Sequence, residues 1–123
     1  MNKVLLFIVS LLGALGVILG ALGAHALKDK LGVEGLKNFE TGVKYHMFHV
    51  LVLLIVQLFP KLTASDKLWV SVLYILGIVF FSGSLYVIST GLIPAKSIWF
   101  VTPLGGLMFI AGWLLLGWKL LMR

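Results

Sequence analysis

The chain has no cysteine. Disulfides and thiolate-bound metals are therefore excluded, and redox compartment cannot be read from composition. Acidic residues are almost as scarce, with four Asp and Glu among 123 residues. No paired carboxylates, no Ser/His/Asp arrangement and no phosphate-binding loop appear, so hydrolase and kinase readings have no support. Charged residues of both signs make up only 11% of the chain.

What remains is apolar. Hydrophobic residues are 61% of the sequence, more than a soluble domain of this length can hide from water. Val4–Ala24 and Leu68–Val79 are nearly free of charge, and a spanning helix needs about 20 mostly apolar residues. The lipid bilayer is the solvent, and residues 1–123 make one domain. The net charge of +6 is no nucleic-acid signature, because the lysines sit scattered at the ends of apolar runs, as basic residues do at membrane interfaces.

Lys3, an apolar run and then Ala24-His25-Ala26 together resemble a secretory signal with an A-x-A site. The run exceeds the usual ~7–15 residues of a signal core, and its glycines are spaced for helix packing. We therefore expect a retained first span over Val4–Ala26. In it Gly13, Gly16, Gly20 and Gly23 share one helical stripe. No hydrophobic force joins helices in lipid, so close backbone approach through such small residues must do it.

The polar stretch Leu27–Lys44 follows, with Val33, Leu36, Phe39 and Val43 three or four residues apart. This spacing predicts a short amphipathic helix lying in the interface, weakened by Gly32 and Gly35; docking of a partner is its functional alternative. The second span covers Val43–Phe59 and is stopped by Pro60, with Gln57 placed to reach headgroups or a neighbouring helix. Thr63-Ala64-Ser65-Asp66 resembles a capping box. The third span, Leu68–Ile88, has Trp69 and Tyr86 as expected interfacial anchors and Ser82-Gly83-Ser84 inside it. The last span is bounded by Trp99 and by Trp113, Trp118, Lys119 and Arg123. Two readings fit Thr102-Pro103. Thr102 is an N-cap with Pro103 at the first helical position, or Pro103 kinks a helix begun near Ile98; we adopt the first. Gly83, Gly105, Gly106 and Gly112 again permit tight packing.

Four spans put both ends of the chain on one side with the Pro60–Lys67 loop. Lys3, Lys61, Lys67, Lys119 and Arg123 fall there; Lys28, Lys30, Lys37, Lys44 and Lys96 fall on the other. The balance gives no orientation under the positive-inside rule. The same topology carries His25, Tyr45, His46, His49, Tyr86 and Thr102 toward one rim, with Ser82 and Ser84 about a turn deeper. Tyr45 and His49 are four apart on a helix and His46 and His49 three apart, so each pair shares a face. Intramembrane ionisable residues point to function by default, and histidine can ligate metal or haem or relay protons. Three readings stay open for this cluster: a structural hydrogen-bond network, a small-molecule, quinone or proton site, and a metal or haem site. The last lacks a nearby acidic partner and the H-E-x-x-H spacing, so no metal ligands are assigned, and no catalytic residue or cofactor is identified.

Gly20-Ala21-Leu22-Gly23-Ala24-His25-Ala26-Leu27, Phe39-Glu40-Thr41-Gly42-Val43-Lys44-Tyr45-His46-Met47-Phe48-His49, Phe81-Ser82-Gly83-Ser84-Leu85-Tyr86, Thr102-Pro103-Leu104-Gly105-Gly106 and Gly112-Trp113 occur in that order. With them the chain resembles the YgdD/YwdK-type small membrane proteins, a bacterial family with eukaryotic relatives. The resemblance implies a four-helix integral membrane protein of unknown biochemical function, in bacteria at the plasma membrane, and supplies no catalytic residues. The expectation is thus an all-α, integral-membrane four-helix bundle with a short interfacial helix between spans one and two. Its leading role is non-enzymatic, as an accessory or structural component of a membrane complex. The alternative is a binding or transport module for a lipid, quinone or proton at the His/Tyr pocket. Lipid bilayer, other membrane proteins or a second copy are the expected partners, and nucleic acid is not.

Overall fold

The computed structural model describes residues 2–123, all helix and connecting turns. The elements are α1 (Lys3–Ala24), α2 (Gly32–Leu58), α3 (Ala64–Gly77), a π-helical turn (Ile78–Ser82), α4 (Gly83–Ser89), a 3₁₀ turn (Ala95–Ser97) and α5 (Val101–Met122). The π turn joins α3 and α4 into one rod, Ala64–Ser89, so four helices are long and apolar enough to cross a membrane. This is the expected all-α, four-span architecture.

The interfacial helix between spans one and two is corrected. Residues 32–44 are the first half of α2, which runs unbroken for 27 residues. At ~1.5 Å per residue that is ~40 Å, longer than the ~30 Å hydrocarbon core, so the excess projects past the rim with Glu34 and Lys37. The amphipathic spacing is real, but beyond exposed Val33 its apolar face turns toward protein. Phe39 is buried over Gly23 of α1, and the Tyr86 ring of α4 covers Gly42. Gly32, at φ +72°, supplies the left-handed residue that turns the chain into α2.

The ends of the other rods follow local rules. The Thr63 hydroxyl accepts from Asp66 N at 3.1 Å, and the Asp66 carboxylate accepts from Thr63 N at 3.2 Å, completing the expected capping box. Thr102 is not an N-cap, however. α5 begins at Val101 after Phe100, which places Pro103 third in the helix. Proline is tolerated there because first-turn N–H groups have no intrahelical acceptor, and neither reading of Thr102-Pro103 given above holds.

Two glycine ladders set the register. Along α1, Gly13 faces Val50, Gly16 faces Met47 and His46, Gly20 faces Val43 and Gly23 faces Phe39. Between α5 and the third rod, Gly105 lies against the Phe80–Phe81 backbone, Gly112 under Tyr74 and Gly77 under Phe109. Gly83 and Gly106 pack less closely than expected, with nothing nearer than 3.9 Å to a Cβ built on either. Gly42 and Gly77, which the sequence did not mark, take their place.

The order across the bundle is α1, α2, third rod, α5, with the outer faces of α1 and α5 left to lipid. Val4, Phe7, Leu11 and Val17 on one, and Leu107, Leu114 and Leu121 on the other, are exposed. At the rim that holds the chain ends, buried Asp66 is gripped by Arg123 through Nε at 2.9 Å and Nη2 at 3.1 Å, and by Lys119 at 3.3 Å. The carboxylate in turn makes the Arg123 guanidinium harder to deprotonate. Gln57 turns inward and donates to Ser71 at 2.6 Å, while Trp69, Trp99 and Trp118 stay exposed as interfacial anchors should.

A Cβ at Gly105 would overlap the Phe81 backbone nitrogen, whereas one at Gly117 meets nothing within 4 Å. Gly105→Ala is expected to cost ~1–3 kcal/mol by overpacking. Gly117→Ala should change stability by no more than ~1 kcal/mol, in the favourable direction. Thermal unfolding of both variants in the same detergent checks the contrast.

Candidate functional site

Because α2 starts at Gly32, the histidines are not at a helix entry. His46 and His49 fall near the middle of α2, both buried, level with Leu12 in the middle of α1 and Trp113 in the middle of α5. The two histidines lie at mid-depth of the bundle, while Tyr86 and Thr102 sit, as expected, near the rim at the end of α4 and the start of α5.

His46 faces α1 on one side and α4 on the other. Its Nε2 is 2.7 Å from the Leu12 carbonyl and its Nδ1 2.9 Å from the Tyr86 hydroxyl. A carbonyl can only accept, so Nε2 carries the proton and donates; in a buried, uncharged ring Nδ1 then accepts from Tyr86. Gly16 makes this approach possible, since a Cβ there would overlap the Met47 sulfur and stand 3.2 Å from His46 Cδ2. Tyr86, expected as an interfacial anchor, is instead drawn inward by this bond.

His49 has the opposite arrangement. Nδ1 donates to the Tyr45 carbonyl at 2.8 Å, one turn back on the same helix. Nε2 accepts from the Trp113 indole N–H at 3.1 Å. The ring stacks on Phe109 with centroids 3.8 Å apart and meets the edges of Phe48 and Trp113. Tyr45 packs edge-on to Phe81 at 4.9 Å. All four ring nitrogens of the two histidines are therefore engaged by protein, and the two imidazoles are neutral tautomers of opposite kind.

The π turn sits beside this layer. Gly83 N bonds back five residues to the Ile78 carbonyl, where an α-helix would bond back four. Ser82, fully buried, donates to the Gly42 carbonyl of α2 at 2.7 Å. Ser84 donates to the Phe81 carbonyl at 2.8 Å and accepts from Thr102, tying α4 to α5. In hydrocarbon an unpaired polar group costs several kcal/mol, and these bonds remove that cost at each serine.

His25 is not part of the cluster: it is exposed at the C-terminal end of α1. Tyr86 bonds His46, Tyr45 stacks beside His49, Ser82 bonds the Gly42 carbonyl, and Ser84 with Thr102 forms a separate pair. Sequence reading missed Trp113, Phe109 and Tyr74. Trp113 looked like a belt residue because tryptophan near a charged chain end usually is. Tyr74 is buried at 0% exposure, within 5.3 Å of the His49 ring, and its hydroxyl is the one buried side-chain polar atom without a partner among the described residues. No group of three potential metal ligands occurs among the described residues, and the ring nitrogens of His46 and His49 are all engaged within the protein.

Trp113→Phe removes the donor to His49 Nε2 and should destabilise the bundle by ~1–3 kcal/mol. Adding His49→Phe should recover part of that loss, because deleting both partners leaves nothing unsatisfied. Unfolding of the two single variants and the double variant measures the coupling; additive losses would count against the bond.

Residues 19–106 match the family described as "Protein of unknown function (DUF423)". A UPF0382 membrane protein of Staphylococcus haemolyticus is 43% identical over 115 residues, covering 90% of this chain and 91% of its own. The UPF0382 membrane protein YwdK of Bacillus subtilis is 40% identical over 119 residues, covering 93% of each chain. The UPF0382 inner membrane protein YgdD of Escherichia coli is 37% identical over 117 residues, covering 94% of this chain and 87% of its own. No solved structure matches. Family match, relatives and four spanning helices agree, and the chain belongs to the DUF423 (UPF0382) family of integral membrane proteins whose biochemical function is unknown.

Proposed function

We propose that the protein is a non-enzymatic accessory subunit, a small rigid bundle that docks on and stabilises a larger membrane assembly. The observation that carries this reading is the closure of the histidine layer. Four ring nitrogens have four protein partners, so the groups best suited to chemistry are spent on joining α1, α2, α4 and α5. A catalytic histidine needs a nitrogen within hydrogen-bond reach of a substrate, and neither ring offers one.

The outer rods support the same reading. α1 and α5 each keep an outward face that meets no other helix, lined by large apolar side chains. Such a face can meet lipid or a neighbouring helix equally well, because association in lipid depends on fit and not on hydrophobicity. The E. coli relative is named an inner membrane protein, and a plasma-membrane assembly is the corresponding setting for this chain.

The absence of cysteine makes the test clean. Single cysteines at Val17, Leu22, Leu107 and Leu114, crosslinked in native membranes, should trap the same second membrane protein from one outer face and not the other. Adducts absent from every position, or spread evenly over unrelated proteins, would contradict an accessory role.

A further inference from the structure

Lys44 is an exposed cation near the middle of α2, beside a cleft between α2 and α5. It lies five residues before His49, about 8 Å nearer the rim at the helical rise. The ion pairs among the described residues are those of Asp66 with Lys119 and Arg123, at the opposite rim. Glu40, a turn rimward of Lys44, is not within pairing distance of it, and both residues also border the groove between α1 and α2. A lysine at this depth reaches toward the headgroups by snorkelling along its own stem.

The cleft runs down from Lys44 between α2 and α5. One part, about 420 Å³, is lined by Lys44, Tyr45, Phe48, His49 and Trp113. A second part, about 330 Å³, shares Tyr45, His49 and Trp113 and extends back toward the rim past Ile110 and Gly106. These sizes fall in the range of ligand sites, ~300–1,000 Å³. Gly106 helps to keep the second part open, having nothing closer than 3.9 Å above its missing Cβ. The walls are aromatic and apolar, since the polar atoms of His49 are already bonded within the protein. Tyr45, Phe48 and Trp113 remain 42–56% exposed, so the cleft opens sideways toward the acyl chains.

We infer that this cleft is a binding site for one anionic phospholipid, with the headgroup phosphate drawn to the Lys44 ammonium and an acyl chain lying along Phe48, Trp113 and Ile110. A cation at the headgroup end and an apolar trough below it match an amphiphile of that charge and shape. The opening toward lipid and the predominantly aromatic and apolar lining disfavour a compact polar ligand. This site is separate from the closed histidine bonds; it uses only their outer, apolar surface.

The test is native mass spectrometry of the full chain in mild detergent, titrated with phosphatidylglycerol or with phosphatidylcholine of the same acyl chains. The expected result is one bound phosphatidylglycerol, favoured about fivefold over phosphatidylcholine, the size of one lysine contact with an anionic membrane. Lys44→Gln should abolish the preference, while Lys37→Gln, an exposed lysine outside the cleft, keeps it. Ile110→Trp should reduce binding of both lipids by filling the trough. Equal affinity for the two lipids, equal losses in Lys44→Gln and Lys37→Gln, full binding by Ile110→Trp, or a dimer in place of lipid adducts each overturn the assignment.

Discussion

The rest of the structure depends on one constraint. Hydrocarbon supplies neither a hydrogen-bond partner nor a force that pushes helices together. Helices must therefore come close enough for dense packing, and every polar side chain between them must find its partner in the protein. Gly16 meets both demands at one point. By lacking a Cβ it lets α2 approach α1 closely, and that approach lets His46 reach the Leu12 carbonyl. Gly105 does the corresponding work between α5 and the third rod, where backbone meets backbone at Phe80 and Phe81.

From that constraint the polar layer follows. His46 joins α1 to α4, His49 joins α2 to α5, Ser82 joins α4's approach to α2, and Thr102 with Ser84 joins α5 to α4. The π turn lies where these links are densest. Such turns often accompany functional sites; here the turn accompanies the tightest helix crossing, beside Gly105. The buried, unpartnered Tyr74 hydroxyl is the exception to the closure, and it abuts the same layer through His49 and Trp113.

Much of this was legible in the sequence. Four charge-poor runs gave the four spans, the α1 glycine stripe gave the seam with α2, and Thr63 with Asp66 gave a helix start. Topology alone placed Tyr86, Thr102 and the second-span residues in reach of one another. The failures share a physical cause, which is that a sequence pattern shows which residues share a face but not what covers it. The spacing of Val33, Leu36, Phe39 and Val43 fits an interfacial helix as well as it fits the first half of a long one, and only Gly23 and Tyr86 decide between them. That misplaced start shifted His46 and His49 from mid-depth to the rim. Trp113 was hidden by the usual habit of tryptophan, and the π turn is one residue in excess, which leaves no mark on composition. The salt link of Asp66 to Lys119 and Arg123 joins residues more than 50 apart and needed the fold to be seen.

The central claim is that the two histidines are structural locks in fixed, complementary states. Nitrogen-15 NMR of histidine-labelled protein in bilayers reads the state of each ring directly. The account predicts two neutral rings of opposite tautomer, with the proton on Nε2 in His46 and on Nδ1 in His49. A charged ring, a mixture of tautomers at either position, or the same tautomer at both would contradict it.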